Sequence, residues 1–110
     1  MSTLYKFKSP ATADLIMLEP QGRRMLQIIG KPVDAKQGIL QPVDMSAAIA
    51  ALETAIAQEE AERKAAEADA ATRGEDLPEP QGVSLRQRAT PFIDMLRRCK
   101  EAGKEIVWGV

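Results

Sequence analysis

Six of the arginines are the side chains of this sequence with the clearest capacity to bind a ligand. Arg23 and Arg24 follow a glycine at the predicted start of a helix, where backbone N–H groups can receive an anion. The others lie towards the C-terminal end: Arg86, Arg88, Arg97 and Arg98. Together with Lys100 and Lys104 they are candidates for a phosphate-binding face. Ordinary solvated arginines are the favoured interpretation of the same pattern.

The chain lacks most of the residues that enzymes commonly use for catalysis. There is no histidine, the residue most used in general acid–base catalysis, and Cys99 is the single cysteine. Zinc sites of the Cys/His kind and His-activated nucleophiles are therefore excluded. Carboxylates that could form an acid–base or metal site are present, but their spacing selects no pair: Asp14, Glu19, Asp94, Glu101 and Glu105. We expect no catalytic residues, no metal site and no cofactor. An enzyme built on carboxylates, arginine or lysine is the least favoured hypothesis.

Charge is unevenly distributed along the 110 residues. The net charge of −1 divides into +3 for residues 1–43, −7 for residues 44–80 and +3 for residues 81–110. A solvated acidic helix between compensating basic ends explains this division. Alternatively, the two basic ends form one face that meets an anionic partner.

The N-terminal region has the pattern of a β-hairpin. Thr3 to Lys8 alternates apolar and polar residues, and Asp14 to Leu18 is an apolar run of strand length. The segment SPATA between them has the composition of a turn. We expect an antiparallel pair of strands joined by this five-residue loop.

The tetrapeptide EPQG occurs twice, at residues 19–22 and 79–82. Proline suits a type I turn or the first turn of a helix, and glycine suits the fourth position of the turn. The residues after the two copies, RRMLQIIG and VSLRQRAT, are not similar, which indicates common turn chemistry and not duplication. We expect a short helix after the first copy, ended by Gly30.

The longest predicted element is a helix from Met45 to about Arg73. Its apolar residues form one stripe with helical spacing: Met45, Ile49, Leu52 and Ile56. Beyond the stripe, three ion pairs four residues apart are predicted, Glu59–Arg63, Glu60–Lys64 and Asp69–Arg73. Each contributes only about 0.2–0.5 kcal/mol. We therefore expect a single domain over residues 1–110, in which residues 58–82 are a solvated helical projection and an acidic linker.

The last helix is predicted from Ser84 onwards, where Gln87 three residues later indicates a capping box. An apolar stripe follows: Leu85, Ala89, Phe92, Ile93, Leu96 and Cys99. Pro91 interrupts the helical pattern. It predicts either a kink or a split, with Thr90 capping the second piece.

The final strand decides the expected fold class. Within Lys104 to Gly109, Ile106 and Trp108 fall on one face. Pairing of this strand with the hairpin gives an α+β fold. Its small, three-stranded and mainly antiparallel sheet is packed by helices, and the long central helix partly projects. Four aromatic side chains then share the core: Tyr5, Phe7, Phe92 and Trp108.

Three stretches of the chain carry a family resemblance: LYKFKSPATADLIMLEPQGRRMLQIIGK, GILQPVDMSAAIAALETAIAQEE and SLRQRATPFIDMLRRCKEAGKEIVWGV. They resemble a family of short bacterial proteins known as a domain of unknown function, number 1840. The closing GKEIVWGV is distinctive, and the resemblance covers nearly the whole chain except the acidic alanine-rich spacer. It implies a single-domain bacterial, cytoplasmic protein and no particular activity.

These patterns favour a non-catalytic protein-interaction module that presents a charged helical projection to an unidentified protein partner. A weak homodimer through the apolar stripe of the long helix is a further expectation. The alternative is a binder of nucleic acid or another phosphate-bearing ligand through the basic N- and C-terminal segments, although no stacking aromatics are interleaved with those charges. The longest apolar run, AAIAAL, is too short to span a bilayer, and no signal-peptide pattern is present. We expect a cytoplasmic protein without a membrane partner.

Overall fold

A computed structural model describes residues 4–77 and 83–109. Within these ranges the chain forms a four-stranded sheet, three α-helices and a short 3-10 helix. In chain order the elements are β1 (Leu4–Ser9), β2 (Thr12–Leu18), α1 (Glu19–Ile28), β3 (Gly38–Leu40), a 3-10 helix (Pro42–Asp44), α2 (Met45–Thr72), α3 (Leu85–Ala102) and β4 (Ile106–Trp108). The predicted α+β class is confirmed.

The strand order is β2-β1-β4-β3, and neighbouring strands are antiparallel. Phe7 of β1 lies opposite Trp108 of β4, so the N-terminal hairpin and the C-terminal strand pair as predicted. Trp108 in turn lies opposite Gly38 of β3. The sheet therefore has four strands where the sequence predicted three. Gly38–Leu40 is too short to show alternation, and pairing with β4 makes it a strand.

The hairpin loop is shorter than the sequence predicts. Strand pairing continues to Ser9 and Thr12, so Pro10 and Ala11 replace the expected five-residue loop. The register shifts between Phe7 and Ser9, as in a β-bulge, which increases the local twist. The longer pairing makes β2 a strand of seven residues at the edge of the sheet.

The helices pack on one face of the sheet, where α1 and α3 contact the strands and α2 packs against both helices. The side chains between them form one hydrophobic core. At its centre the ring of Phe7 lies 4.8 Å from that of Phe92 and 5.7 Å from that of Trp108, measured between centroids. Tyr5 stacks on Phe7 and is only partly buried. The predicted aromatic core is confirmed, with Tyr5 at its border.

The first EPQG copy forms the first turn of α1 and does not precede the helix. Pro20 lies within the first two positions, where its missing N–H leaves no bond unmade. Gly22 is buried because the helix backbone passes directly over Tyr5, and a Cβ at this position would overlap the Tyr5 ring. Gly30 follows the helix with a φ of 80°, in the position expected of a C-terminal cap. The second copy, residues 79–82, lies outside the described residues.

Helix α2 contributes to the core through its first half. Met45, Leu52 and Ile56 are buried and Ile49 is half-buried, as the predicted stripe requires. Over residues 60–72 most side chains are exposed. None of the helices in the described part of the chain is long and apolar enough to cross a membrane, α2 included.

Helix α3 begins with the predicted capping box, in which Ser84 and Gln87 bond each other's backbone N–H reciprocally. Pro91 lies inside the helix, which nevertheless continues without interruption to Ala102. Of the two predicted alternatives, the split capped by Thr90 is wrong, because the helix is continuous and the Thr90 hydroxyl donates to the carbonyl of Arg86 at 2.6 Å. Buried side chains on both sides of Pro91 hold the helix in one piece.

Candidate functional site

The two predicted arginines of α1 each face a carboxylate. Arg23 lies 3.3 Å from Asp34 and 3.8 Å from Glu19. Arg24 reaches across to α2, where its Nη2 donates to Glu59 Oε2 at 3.2 Å. The carboxylate of Glu59 also accepts the backbone N–H of the first residue of α3 at 3.2 Å. Arg24 therefore belongs to a junction that joins all three helices.

Two of the predicted arginines of α3 also pair with α2. Arg86 donates Nε and Nη2 to the two carboxylate oxygens of Glu60, at 2.8 Å and 2.7 Å. This bidentate hydrogen bonding lowers the pKa of Glu60 below its ordinary value of 4.5 and raises the pKa of Arg86. Arg97 donates to Glu53 at 2.6 Å. All of these groups are largely exposed, so the pairs orient the helices more than they stabilise them.

The last two predicted arginines have different surroundings. The Nε of Arg88 donates to the carbonyl of Val83 at 3.3 Å. Arg98 is exposed and forms no ion pair with a described residue; it lines a shallow depression between β2 and α3 together with Asp14 and Asp94. The six arginines therefore do not converge on one site: Arg24, Arg86 and Arg97 border α2, and Arg23, Arg88 and Arg98 lie apart.

Sequence reasoning paired the acidic residues of α2 with partners along the same helix. That pattern holds for Asp69, which pairs with Arg73. Glu59 and Glu60 instead bind arginines of neighbouring helices. Spacing along one helix cannot reveal such pairs, because the packing of α2 between α1 and α3 creates them. Binding of an anion by these arginines stays a prediction, and an anion must compete with the carboxylates already present.

Metal binding and thiol chemistry have few candidate groups among the described residues. Among residues 4–77 and 83–109, no cluster of three or more metal-ligating side chains is present. Cys99 is buried, and its Sγ lies 3.2 Å from the hydroxyl oxygen of Ser9. A buried thiol that is engaged in a hydrogen bond acts as a core residue.

The most distinctive surface is the face of the sheet that points away from the helices. Alternation along the strands places eight side chains there, which we call the open face: Leu4, Lys6, Lys8, Ile16, Leu18, Ile39, Val107 and Asp14. Four of these side chains are large, apolar and between 43% and 59% exposed: Leu4, Ile16, Leu18 and Ile39. Sequence reasoning missed this surface. The alternation was visible in the strands, but it does not show that the helices cover one face only.

The register of the strands arranges the open face into two apolar patches with lysines between them. Leu4 lies opposite Leu18 at one corner. Val107 lies opposite both Lys8 and Ile39 towards the other corner. The lysine between these rows, Lys6, lies opposite Ile16. Neither Lys6 nor Lys8 forms an ion pair with a described residue.

Fold and surface together define the class: a two-layer α+β domain with helices on one face of an antiparallel sheet and an open apolar and basic second face. The chain belongs to the family described as domain of unknown function (DUF1840), which matches residues 3–108. The predicted family resemblance is therefore confirmed. Comparison with curated proteins and with solved structures gave no match.

Proposed function

We propose that this protein is a non-catalytic protein-interaction module that binds its partner through the open face of the sheet. The observation that carries the proposal is the one-sided packing of the helices, which leaves Ile16 and Leu18 more than half exposed on a sheet whose other face is the core. Contiguous apolar surface of this kind marks interaction sites in proteins. The cytoplasm is the compartment in which we expect it to act.

Energetics favour the open face over the exposed half of α2 as the binding surface. Covering one half-exposed aliphatic side chain contributes roughly 1 kcal/mol, since full burial contributes about 1.5–3 kcal/mol. An exposed ion pair contributes about 0.2–1 kcal/mol. In the outer part of α2 several charges already have partners: Arg63 pairs with Glu67 at 2.9 Å, and Asp69 pairs with Arg73. A partner there must compete with pairs that exist.

The test is partner capture with a surface variant and a matched control. Ile16→Glu with Leu18→Glu places two carboxylates on the open face. Val43→Glu with Val83→Glu introduces the same charge at two exposed valines outside the strands. Each tagged variant is used for capture from the native source, and bound proteins are quantified by mass spectrometry.

We expect a partner that the wild type and the valine variant retain and that the open-face variant loses. Retention of every captured protein by the open-face variant, with its melting temperature unchanged, would contradict the proposal. A variant that fails to fold is replaced by Ile16→Ser with Leu18→Ser, which applies the same test with a smaller perturbation.

The alternative function is binding of nucleic acid or another phosphate-bearing ligand through the basic segments. Arg98 favours it, because this side chain is exposed and has no carboxylate partner among the described residues. Such binding should weaken steeply with salt. A gel-shift series at low salt, compared with Arg97→Glu plus Arg98→Glu, tests it. Absence of any retardation by the wild type removes the nucleic-acid version.

A further inference from the structure

We propose that the ligand of the open face is an amphipathic helix with acidic flanks, supplied by another protein. This inference rests on the proposed function and specifies the chemistry of the partner. It follows from three features of the described structure: the unpaired lysines, their position between apolar patches, and the layer that the fold lacks on this side.

The lysines select for negative charge. Lys6 and Lys8 follow the same face of β1, two residues apart, with Ile16 and Val107 as cross-strand neighbours. Neither ammonium group has a carboxylate partner among the described residues, whereas four of the predicted anion-binding arginines do. A partner that covers the apolar patches also covers these lysines, so it must bring carboxylates to them.

The same lysines disfavour a second copy of this chain as the occupant. In a symmetric dimer the same patch meets itself. Two open faces brought together would place four ammonium groups between the apolar patches, whereas the strands supply one carboxylate per face, Asp14 at the edge strand β2. Like charges that meet across an interface cost several kcal/mol. The two lysines therefore disfavour self-association through this face and favour an acidic partner.

The dimensions of the open face fit a short helix. From the row of Leu4 to the row of Lys8 the distance along the strand is about 13 Å, at roughly 3.3 Å per residue. From β2 to β3 the sheet spans about 14 Å, at roughly 4.8 Å per strand spacing. A helix of three turns is about 16 Å long. Because helices already cover the other face, a helix here completes a three-layer α/β/α arrangement.

The test uses the full chain labelled with ¹⁵N and two synthetic helical peptides of about 14 residues. Both peptides carry the same leucine stripe at positions i, i+3, i+4 and i+7. One has glutamate at the flanking positions and the other has lysine at those positions. Amide chemical shifts are followed during titration, and circular dichroism confirms that both peptides have equal helicity.

The acidic peptide is expected to bind and to shift amides of β1, β2 and β4, and the basic peptide is expected to bind at least about tenfold more weakly. Lys6→Glu with Lys8→Glu should reverse the preference, because it reverses the sign of the charges that the flanking residues of the peptide meet. Lys64→Glu with Lys100→Glu is the matched control, since both lysines are exposed and lie on helices. It should leave the preference unchanged.

Several outcomes would overturn the inference. Equal affinity for the two peptides would show that the lysines do not select. Shifts confined to α2 or α3 would place the site elsewhere. Concentration-dependent dimerisation that Ile16→Glu abolishes would make a second copy the occupant, and binding to anionic vesicles that Lys6→Glu abolishes would make it a lipid surface. Loss of the native partner by the open-face variant, without binding of the acidic peptide, would leave the proposed function intact and remove this inference alone.

Discussion

The two faces of the sheet share one backbone and have opposite surroundings. On the inner face Phe7 and Trp108 expose at most 1% of their surface and contact the helices. On the open face Ile16 and Leu18 expose 52% and 59%. Alternate residues of one strand can therefore serve two different roles, one on each face of the sheet. The inner face supplies the free energy of folding, and the open face is available to a partner at little cost in stability.

The largest expected effect tests the inner face. Trp108→Ala should lower the free energy of unfolding by about 3–5 kcal/mol, because it leaves a cavity in the core where β4 pairs with β1 and β3. Trp108→Phe should lose less than half as much, since it keeps a ring and removes an Nε1–H that has no acceptor among the described residues. Urea denaturation measures both. A change below about 1 kcal/mol for the alanine variant would show that Trp108 does not anchor the core.

A smaller effect is expected at the edge of the inner face. Gly38→Ala places a Cβ where the indole of Trp108 lies, so strand β3 or the ring must move. Overpacking of this kind costs about 1–3 kcal/mol. The control is Ala35→Gly, which exchanges the same two residue types at an exposed position of the preceding loop. Gly74→Ala is unsuitable as a control because the φ of Gly74 is positive. A Gly38→Ala variant as stable as the wild type would contradict the close approach of β3 to Trp108.

Helix α2 repeats the comparison along its own length, with a covered first half and an exposed second half. Replacing residues 62–76 by a short flexible link removes mostly exposed side chains, with Ala70 as the buried exception, and keeps Glu59 and Glu60, which bind the other helices. The domain should stay folded, with a loss of less than about 1 kcal/mol, because few buried contacts disappear. Collapse of the thermal unfolding transition would show that the exposed half stabilises the fold.

The smallest effect is expected on the open face. Ile16→Ser with Leu18→Ser should change the free energy of unfolding by no more than about 0.5 kcal/mol per site, the range of ordinary surface substitutions. Leu15→Ser, one residue away on the inner face, serves as the contrast because Leu15 packs against the core. Comparable losses for the outer and inner variants, measured by thermal unfolding, would remove the distinction between the two faces.

Local patterns in the sequence predicted much of the fold. Alternation identified the hairpin and the final strand, and the Ser84–Gln87 pair identified the start of α3. Gly103 ends that helix with a φ of 67°, in the left-handed conformation that glycine favours at a helix C-terminus. Each of these features depends on a few neighbouring residues whose chemistry allows one conformation.

Features that depend on distant contacts could not be predicted. Gly22 looks like a turn residue in EPQG, but its lack of a Cβ serves the approach of α1 to Tyr5. Pro91 is a helix breaker by local rules, and core packing on both sides overrides it. The open face could not be predicted because alternation assigns residues to a face without showing which face the helices cover.

Lysine reactivity in the native complex tests the central claim most directly. The captured complex and the free protein are acylated under identical conditions, and modification at each lysine is quantified by mass spectrometry. Lys6 and Lys8 should lose at least about tenfold in reactivity in the complex, while Lys64 on the exposed part of α2 and Lys100 on α3 should keep theirs. Unchanged reactivity of Lys6 and Lys8, together with protection of Lys64 or Lys100, would contradict the assignment of the open face as the docking surface.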